Sequence, residues 1–267
     1  MTRLGRLLSF LGVFLATRAF AAGSTFPEGR VIDLSHPFDA ATIYWPTEEG
    51  FVLEKEFAGK TDQGTYYAAN KFRTAEHGGT HIDAPAHFHA GGDTVDRIPL
   101  DRLMGPAVLV DVSDACARDR DHQVGVSDFA RWEKRHGRIP DGAIVLLRTG
   151  FGKFWPDRTR YLGTDERGKA AVAKLHFPGL HVEGARWLVD ERGIRAVGLD
   201  TASIDHGPST LFETHRALFA RGVPAFENLA NLGELPATGF TVIALPMKIA
   251  GGSGGPLRAA AIVPGAR

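Results

Sequence analysis

Apolar and polar positions alternate along this chain in two rhythms. Residues 30–34, 51–57 and 65–74 carry β-branched and aromatic residues in short runs, the spacing of strands, and give the first part a hairpin-like character. Ala107 to Val112 and Ala143 to Leu147 are unbroken apolar runs bounded by Gly, Pro and Asp, which predicts strands buried on both faces. Further strands are predicted at Ile194 to Leu199, Phe240 to Leu245 and Ala259 to Val263. The helical rhythm takes over between them. Ser127 reads as the N-cap of a helix carrying Phe129 and Trp132 and closed by Gly137. Val182 to Glu191 reads as a second helix ending near Gly193, and Ser209 to Arg221 as a third, with Gly222 past its end. Leu211, Phe212, His215, Leu218 and Phe219 fall on one face of that third helix, which turns His215 inward. Strands interleaved with helices predict an α/β fold, and the hairpin-like first half predicts a mixed sheet.

Composition narrows the picture. The 267 residues are 43% hydrophobic, without heptads, repeats or long linkers, enough for one large domain. Arg3 and Arg6 precede a ten-residue apolar run, Leu7 to Ala16, too short to span a bilayer, and Ala19-Phe-Ala21 places small residues where a signal peptidase reads. Residues 1–22 are therefore expected to be a signal peptide and 23–267 the domain, exported to the periplasm. Removing Arg3, Arg6 and Arg18 leaves 28 basic against 31 acidic residues, a formal charge of −3. Nothing in that charge calls for a nucleic acid, or for a membrane after signal cleavage. The single Cys116 forms no internal disulfide and reads as a small packing residue.

The chemistry concentrates in residues 77–89, His-Gly-Gly-Thr-His-Ile-Asp-Ala-Pro-Ala-His-Phe-His, in a chain with 11 histidines. Imidazoles and a carboxylate suit a divalent metal. His77, His81, Asp83 and His87 share parity, so extended chain would turn them to one face. Straight strand would still spread them over roughly 20 Å, at ~3.3 Å per residue, so the chain must bend between His77 and His81, where Gly78-Gly79 can supply the turn. His89 reads as the solvent-facing member of the cluster. Further along, His215 on its apolar face and Glu227, in Pro-Ala-Phe-Glu-Asn after a short strand, each need a partner. A shared metal would satisfy both; so would ordinary core hydrogen bonding for the histidine. Gly251-Gly-Ser253-Gly-Gly255 has the form of a serine-hydrolase elbow, but no His or Asp follows it, and it reads as a glycine loop near the site.

The string His77-Gly-Gly-Thr-His81-Ile-Asp83-Ala-Pro-Ala-His87 resembles the signature of the cyclase-like metal hydrolases, which include bacterial kynurenine formamidases and isatin hydrolases. Weaker matches accompany it: Asp33-Leu-Ser, Trp45-Pro, Arg148-Thr-Gly, Gly198 to Asp205, Glu227-Asn and the terminal Leu-Pro-Met-Lys-Ile. The resemblance implies a single compact α/β domain with a barrel-like mixed sheet flanked by helices, and commonly a homodimer. It implies two divalent ions, zinc ahead of manganese, with iron also compatible with the donors. His77 and His81 would bind the first ion, Asp83 would bridge, His215 would bind the second and Glu227 would contact both. His87 would be the general acid/base and Trp45 a substrate contact.

The activity so implied is hydrolysis of a C–N bond in a small aryl amide, formamide or lactam by metal-activated water. A non-catalytic periplasmic metal-binding protein and a cyclase or lyase on the same fold are the alternatives. Phe151, Phe154, Trp155 and Tyr161 are expected to give the pocket mouth its aromatic character.

Overall fold

In the computed structural model, which describes residues 28–265, the apolar run at 143–147 becomes the strand Ile144–Arg148 and feeds two cores at once. Ile144 and Leu146 enter one cluster, Val145 and Leu147 the other. A side-chain period of two makes this unavoidable once both faces are covered, which is why the run needs no polar residue. The expected signal peptide, residues 1–22, lies outside the described residues.

Among those residues the strands are β1 (Arg30–Asp33), β2 (Val52–Lys60), β3 (Tyr66–Arg73), β4 (His81–Asp83), β5 (Met104–Asp111), β6 (Gln123–Val124), β7 (Ile144–Arg148), β8 (Gly179–Leu180), β9 (Ala196–Leu199), β10 (Ala225–Glu227), β11 (Phe240–Pro246) and β12 (Gly254–Val263). The α-helices are α1 (Leu100–Leu103), α2 (Ser113–Arg118), α3 (Val126–His136), α4 (Arg158–Leu162), α5 (Lys169–Val172), α6 (Val182–Arg192) and α7 (Glu213–Phe219). Strands β12, β11, β5, β7, β9, β10 and β4 follow one another in hydrogen-bonded order, and β4 pairs back onto the start of β12. Seven strands thus close a ring, with β1 added along the far end of β12. β5, β7, β9 and β10 run parallel, whereas β11 and β4 are antiparallel to their neighbours, so the sheet is mixed as expected.

One core fills the ring, drawing Ile82, Leu109, Ile144, Leu146, Ala196, Phe226 and Val242 from its strands. The other lies between the outer face of β5, β7 and β9 and the helices, where the Phe129 ring of α3 stacks on Trp187 of α6 at 5.6 Å. Cys116 is buried in this second core, as its packing role predicts, and burial pushes its thiol up to about 12.

Two helix starts differ from expectation. The N-cap of α3 is Gly125, not Ser127; the Asp128 carboxylate accepts from the Gly125 N–H at 2.9 Å and closes the first turn. The third predicted helix starts at Glu213 rather than Ser209. Phe212 has φ of 49°, a left-handed conformation that ends the loop before it, and Leu211 is exposed. The apolar face of α7 is therefore shorter than the pattern suggested, but it still buries His215, Leu218 and Phe219.

β2 and β3 form a ribbon that stands apart from both cores. Val52, Leu53, Phe57, Tyr66, Tyr67 and Phe72 are exposed along it. Among the described residues no helix is long and apolar enough to cross a membrane.

Candidate metal centre

The ring's own parity assembles the site. β4 and β10 are antiparallel, with His81 opposite Glu227 and Asp83 opposite Ala225. The residues between, Ile82 and Phe226, point into the ring core. His81, Asp83 and Glu227 therefore share its outer face, and α7 brings His215 onto the same face. His77 reaches it from before the bend that the spacing demanded. Gly79 has φ of +57°, and a Cβ on Gly78 would lie 2.0 Å from the buried Tyr44 ring, so both glycines are required there.

Asp83 is the hub. Its Oδ1 lies 2.6 Å from His77 Nδ1 and 3.2 Å from His81 Nε2; its Oδ2 lies 3.0 Å from His215 Nε2. Glu227 offers Oε2 to His81 Nε2 at 3.5 Å and Oε1 to His215 Nε2 at 3.4 Å. Asp83, Glu227, His81 and His215 are nearly sealed from solvent, and His77 is partly open. The nitrogens on the far sides of two of these rings are already engaged. His81 Nδ1 donates to the Gly79 carbonyl at 3.0 Å, and His215 Nδ1 to Asp205 at 2.6 Å. In the neutral rings each Nε2 is then a lone pair aimed at carboxylate oxygens.

Lone pairs and anions converging in a buried space need a cation among them. The titration directions record the same unmet charge. Burial lowers the pKa of His81, but the hydrogen bond and charge of Asp83 and the charge of Glu227 outweigh it, and the net shift is upward. For His215 burial is likewise outweighed, by Asp205, Asp83 and Glu227, and the pKa stands well above normal. Burial raises Asp83, yet the surrounding imidazoles hold it well below the usual carboxylate range. Burial and the Asp83 charge push Glu227 up. A divalent metal would meet the same demand, and protons would compete with it for these donors. His77, Asp83 and His87 form one group of donors close enough to hold an ion, and His81, Asp83 and Glu227 another. The donor set, imidazole and carboxylate without thiolate, fits zinc, manganese or iron.

His87 closes the short 3-10 turn that Pro85 begins, with its ring stacked on His77 at 3.8 Å. Burial, aided by the neighbouring imidazoles and opposed by Asp83, lowers its pKa to about 4. His89, the outermost of the cluster, is exposed.

A cavity of about 570 Å³ opens over these groups. Trp45 lines it, as do Ile43, Phe88 and Phe212, and Lys and Arg are absent from its described lining. The expectation that the 150–161 segment gives the pocket mouth its aromatic character is not met. Phe151 is buried, Trp155 stacks on His36 at 4.2 Å, and Tyr161 is buried with its hydroxyl donating to Asn228 Oδ1 at 2.9 Å. None of these residues lines the cavity. The aromatic walls come instead from Phe88, next to His87 in the motif, and from Phe212, just before α7.

Two supporting residues had no role assigned from the sequence. Asp205 holds His215 three ways, accepting from its ring Nδ1, from its backbone N–H at 3.1 Å and from the Thr214 N–H at 3.1 Å. It therefore orients the imidazole and caps α7 together. Asn228, itself at φ of 53°, donates to the Gly79 carbonyl at 2.7 Å and pins the bend between His77 and His81. Both sit in the weaker motif strings, but their aim depends on segments far apart in the chain.

The family model described as "Putative cyclase" matches residues 32–206. Isatin hydrolase of Roseibium aggregatum is 34% identical over 209 residues, 75% of this chain and 77% of that protein. Kynurenine formamidase of Salinibacter ruber is 30% identical over 229 residues, 86% of this chain and 95% of its own. Isatin hydrolase A from Labrenzia aggregata, solved bound to benzyl benzoate, superposes with a TM-score of 0.78 at 34% identity, covering 88% of this chain and 94% of that one.

Replacing Asp205 by Ala is expected to weaken divalent-metal binding by roughly 10–100-fold, the usual cost of losing a ligand's outer partner. Zinc titration against a chromophoric chelator measures it; an unchanged affinity would remove Asp205 from the site's support.

Proposed function

The chain belongs to the cyclase family, and from that membership we propose that it is a metal-dependent hydrolase that opens the C–N bond of a small, uncharged aryl lactam or amide of the isatin type. The convergence of His81, Asp83, His215 and Glu227 on one buried point carries the hydrolytic reading. The cavity supports the substrate class. Trp45, Phe88 and Phe212 offer faces for a flat aromatic ring. The described lining presents Glu48 and Glu76 but neither Lys nor Arg, so an amino-acid carboxylate like that of N-formylkynurenine finds no counter-ion there.

The donors divide in a way that supports two ions. His77 Nδ1, His81 Nε2, Asp83 Oδ1 and Glu227 Oε2 gather on one side; His215 Nε2, Asp83 Oδ2 and Glu227 Oε1 gather on the other. Asp83 and Glu227 would each lend one oxygen to either side. Zinc is the first choice and manganese the second, on donor type. When bound, such ions supply Lewis acidity and make a water acidic enough to attack near neutral pH.

The chain's own residues do the rest. His87 is neutral at pH 7 because burial disfavours its charged form, so its lone pair is free to accept a proton. As the water oxygen bonds to the carbonyl carbon, His87 takes the released proton. It delivers that proton to the nitrogen as the C–N bond breaks. The aromatic walls hold the ring and keep bulk water from the carbonyl.

Two broader features belong to the same proposal. The basic and apolar N-terminal residues support export to the periplasm, which cell fractionation checks directly. The exposed apolar ribbon of β2 and β3 supports a homodimer, because an unsupported two-stranded ribbon is marginal in water and a patch of this kind favours a partner surface.

Metal-loaded protein is expected to add water to isatin and to simple aryl amides and formanilides, with N-formylkynurenine turned over more slowly; mass analysis of products reads the gain of water. Tight metal binding without turnover across that panel would favour a storage role, and products lacking the added water would favour ring closure or elimination. His87→Ala is expected to keep its metal and lose roughly 10²–10⁴ in kcat. A metal-free variant would make His87 a ligand instead. The base works unprotonated and its pKa lies low, so the acidic limb of kcat/KM is expected below the ordinary histidine value, with metal content checked at each pH. Light scattering on a sizing column is expected to give twice the chain mass, and a monomer would reject the dimer.

A further inference from the structure

The glycine segment 251–255 is built into the site from behind. Ser253, the residue before β12, places its hydroxyl 2.9 Å from His77 Nε2 and 2.6 Å from Glu76 Oε2, and its backbone N–H donates to the same Glu76 oxygen at 2.9 Å. Its carbonyl accepts from the Ala84 N–H at 2.8 Å, one residue past Asp83. The flanking glycines make this approach possible. A Cβ on Gly252 would fall 2.8 Å from Glu76 Oε1, and one on Gly254 would fall 2.5 Å from His77 Cε1.

The direction of the hydrogen bonds follows from the proton count. A carboxylate only accepts, so the Ser253 hydroxyl spends its single proton on Glu76. Towards His77 the Ser253 oxygen can then only accept, and His77 Nε2 must carry the proton. In a neutral imidazole that leaves Nδ1 as the lone pair, and Nδ1 is the atom 2.6 Å from Asp83 Oδ1. The wiring matches that of the other two ligands with the nitrogens exchanged: His81 and His215 are held through Nδ1 and present Nε2, whereas His77 is held through Nε2 and presents Nδ1.

We propose that Glu76 and Ser253 are positioning residues that lock His77 in the tautomer and orientation needed to ligate a divalent metal through Nδ1. The proposal rests on the metal-dependent reading above. It also gives the serine of the elbow-like motif a role other than nucleophile. Its proton is committed to Glu76, its histidine neighbour has no free lone pair on that side, and Ser253 does not line the cavity. Outer partners of this kind typically change metal affinity by about 10–100-fold.

The test uses the full chain stripped of metal, with zinc titrated against a chromophoric chelator and cobalt read by its visible absorption. Ser253→Ala and Glu76→Gln are expected to weaken zinc binding by roughly 10–100-fold and to alter the cobalt band, with the melting temperature of the metal-free protein unchanged. Ser253→Thr, which keeps the hydroxyl, is expected to recover most of the affinity. Parent-like zinc affinity in Ser253→Ala overturns the proposal. So does a loss of affinity that tracks a fall in metal-free melting temperature, which marks a purely structural role, or one that threonine fails to rescue. Hydrolysis that survives chelation in the parent but vanishes in Ser253→Ala would make the serine a nucleophile and overturn it too. Failure of the parent itself to bind zinc or cobalt is seen before any variant is made, and it sinks the functional reading on its own.

Discussion

Two carboxylates, Asp83 and Glu227, lie sealed from water on the same face of two paired strands, and positive charge has to join them. Alone, such a pair would carry a desolvation cost far beyond what packing returns. Three imidazoles surround them with lone pairs aimed inward, so the arrangement is incomplete without protons or metal ions. That electrostatic demand links burial, side-chain orientation and function, because the group that satisfies it also supplies the chemistry.

The closed sheet makes the demand sustainable. Each central strand gives one parity of side chains to the ring core and the other to the helical side. Ile82 and Phe226 fasten β4 and β10 to the ring interior, leaving His81, Asp83 and Glu227 no freedom to turn away. The same constraint puts both acids and His81 on strands, where their spacing holds against the mutual repulsion of the acids. Asp205 and Asn228 extend the rigidity outward by fixing α7 and the bend at Gly79.

Separate elements supply the proposed substrate contacts. His87 stands on a short turn beside the donor cluster and is kept neutral by burial, while Phe88, Phe212 and Trp45 form the aromatic walls. Acids and imidazoles that could hold a metal, set beside uncharged rings, suit the proposed polarisation of a carbonyl on a flat, neutral molecule.

Much of this was legible in the linear chain. The density of His and Asp at 77–87, the glycine pair forcing a bend and the inward parity of His215 all follow from local spacing, and the structure brings the residues together. The α/β class and mixed sheet followed from continuous apolar runs alternating with helical periods. The aromatic 150–161 segment misled, because composition does not say which surface a ring will cover; its rings went to His36, the core and Asn228. The start of α7 was placed early because the apolar period ran on into Leu211, where tertiary contacts gave the chain no reason to stay helical. Sequence alone narrowed the side chains that could hold a metal and put His81 and Asp83 on one strand face. Only the tertiary structure decided which nitrogen of each imidazole faces inward, because that choice is made by Gly79, Asp205 and Ser253. Two of those partners, Asp205 and Ser253, are set opposite their histidines by packing between segments far apart in the chain, which local periodicity does not encode.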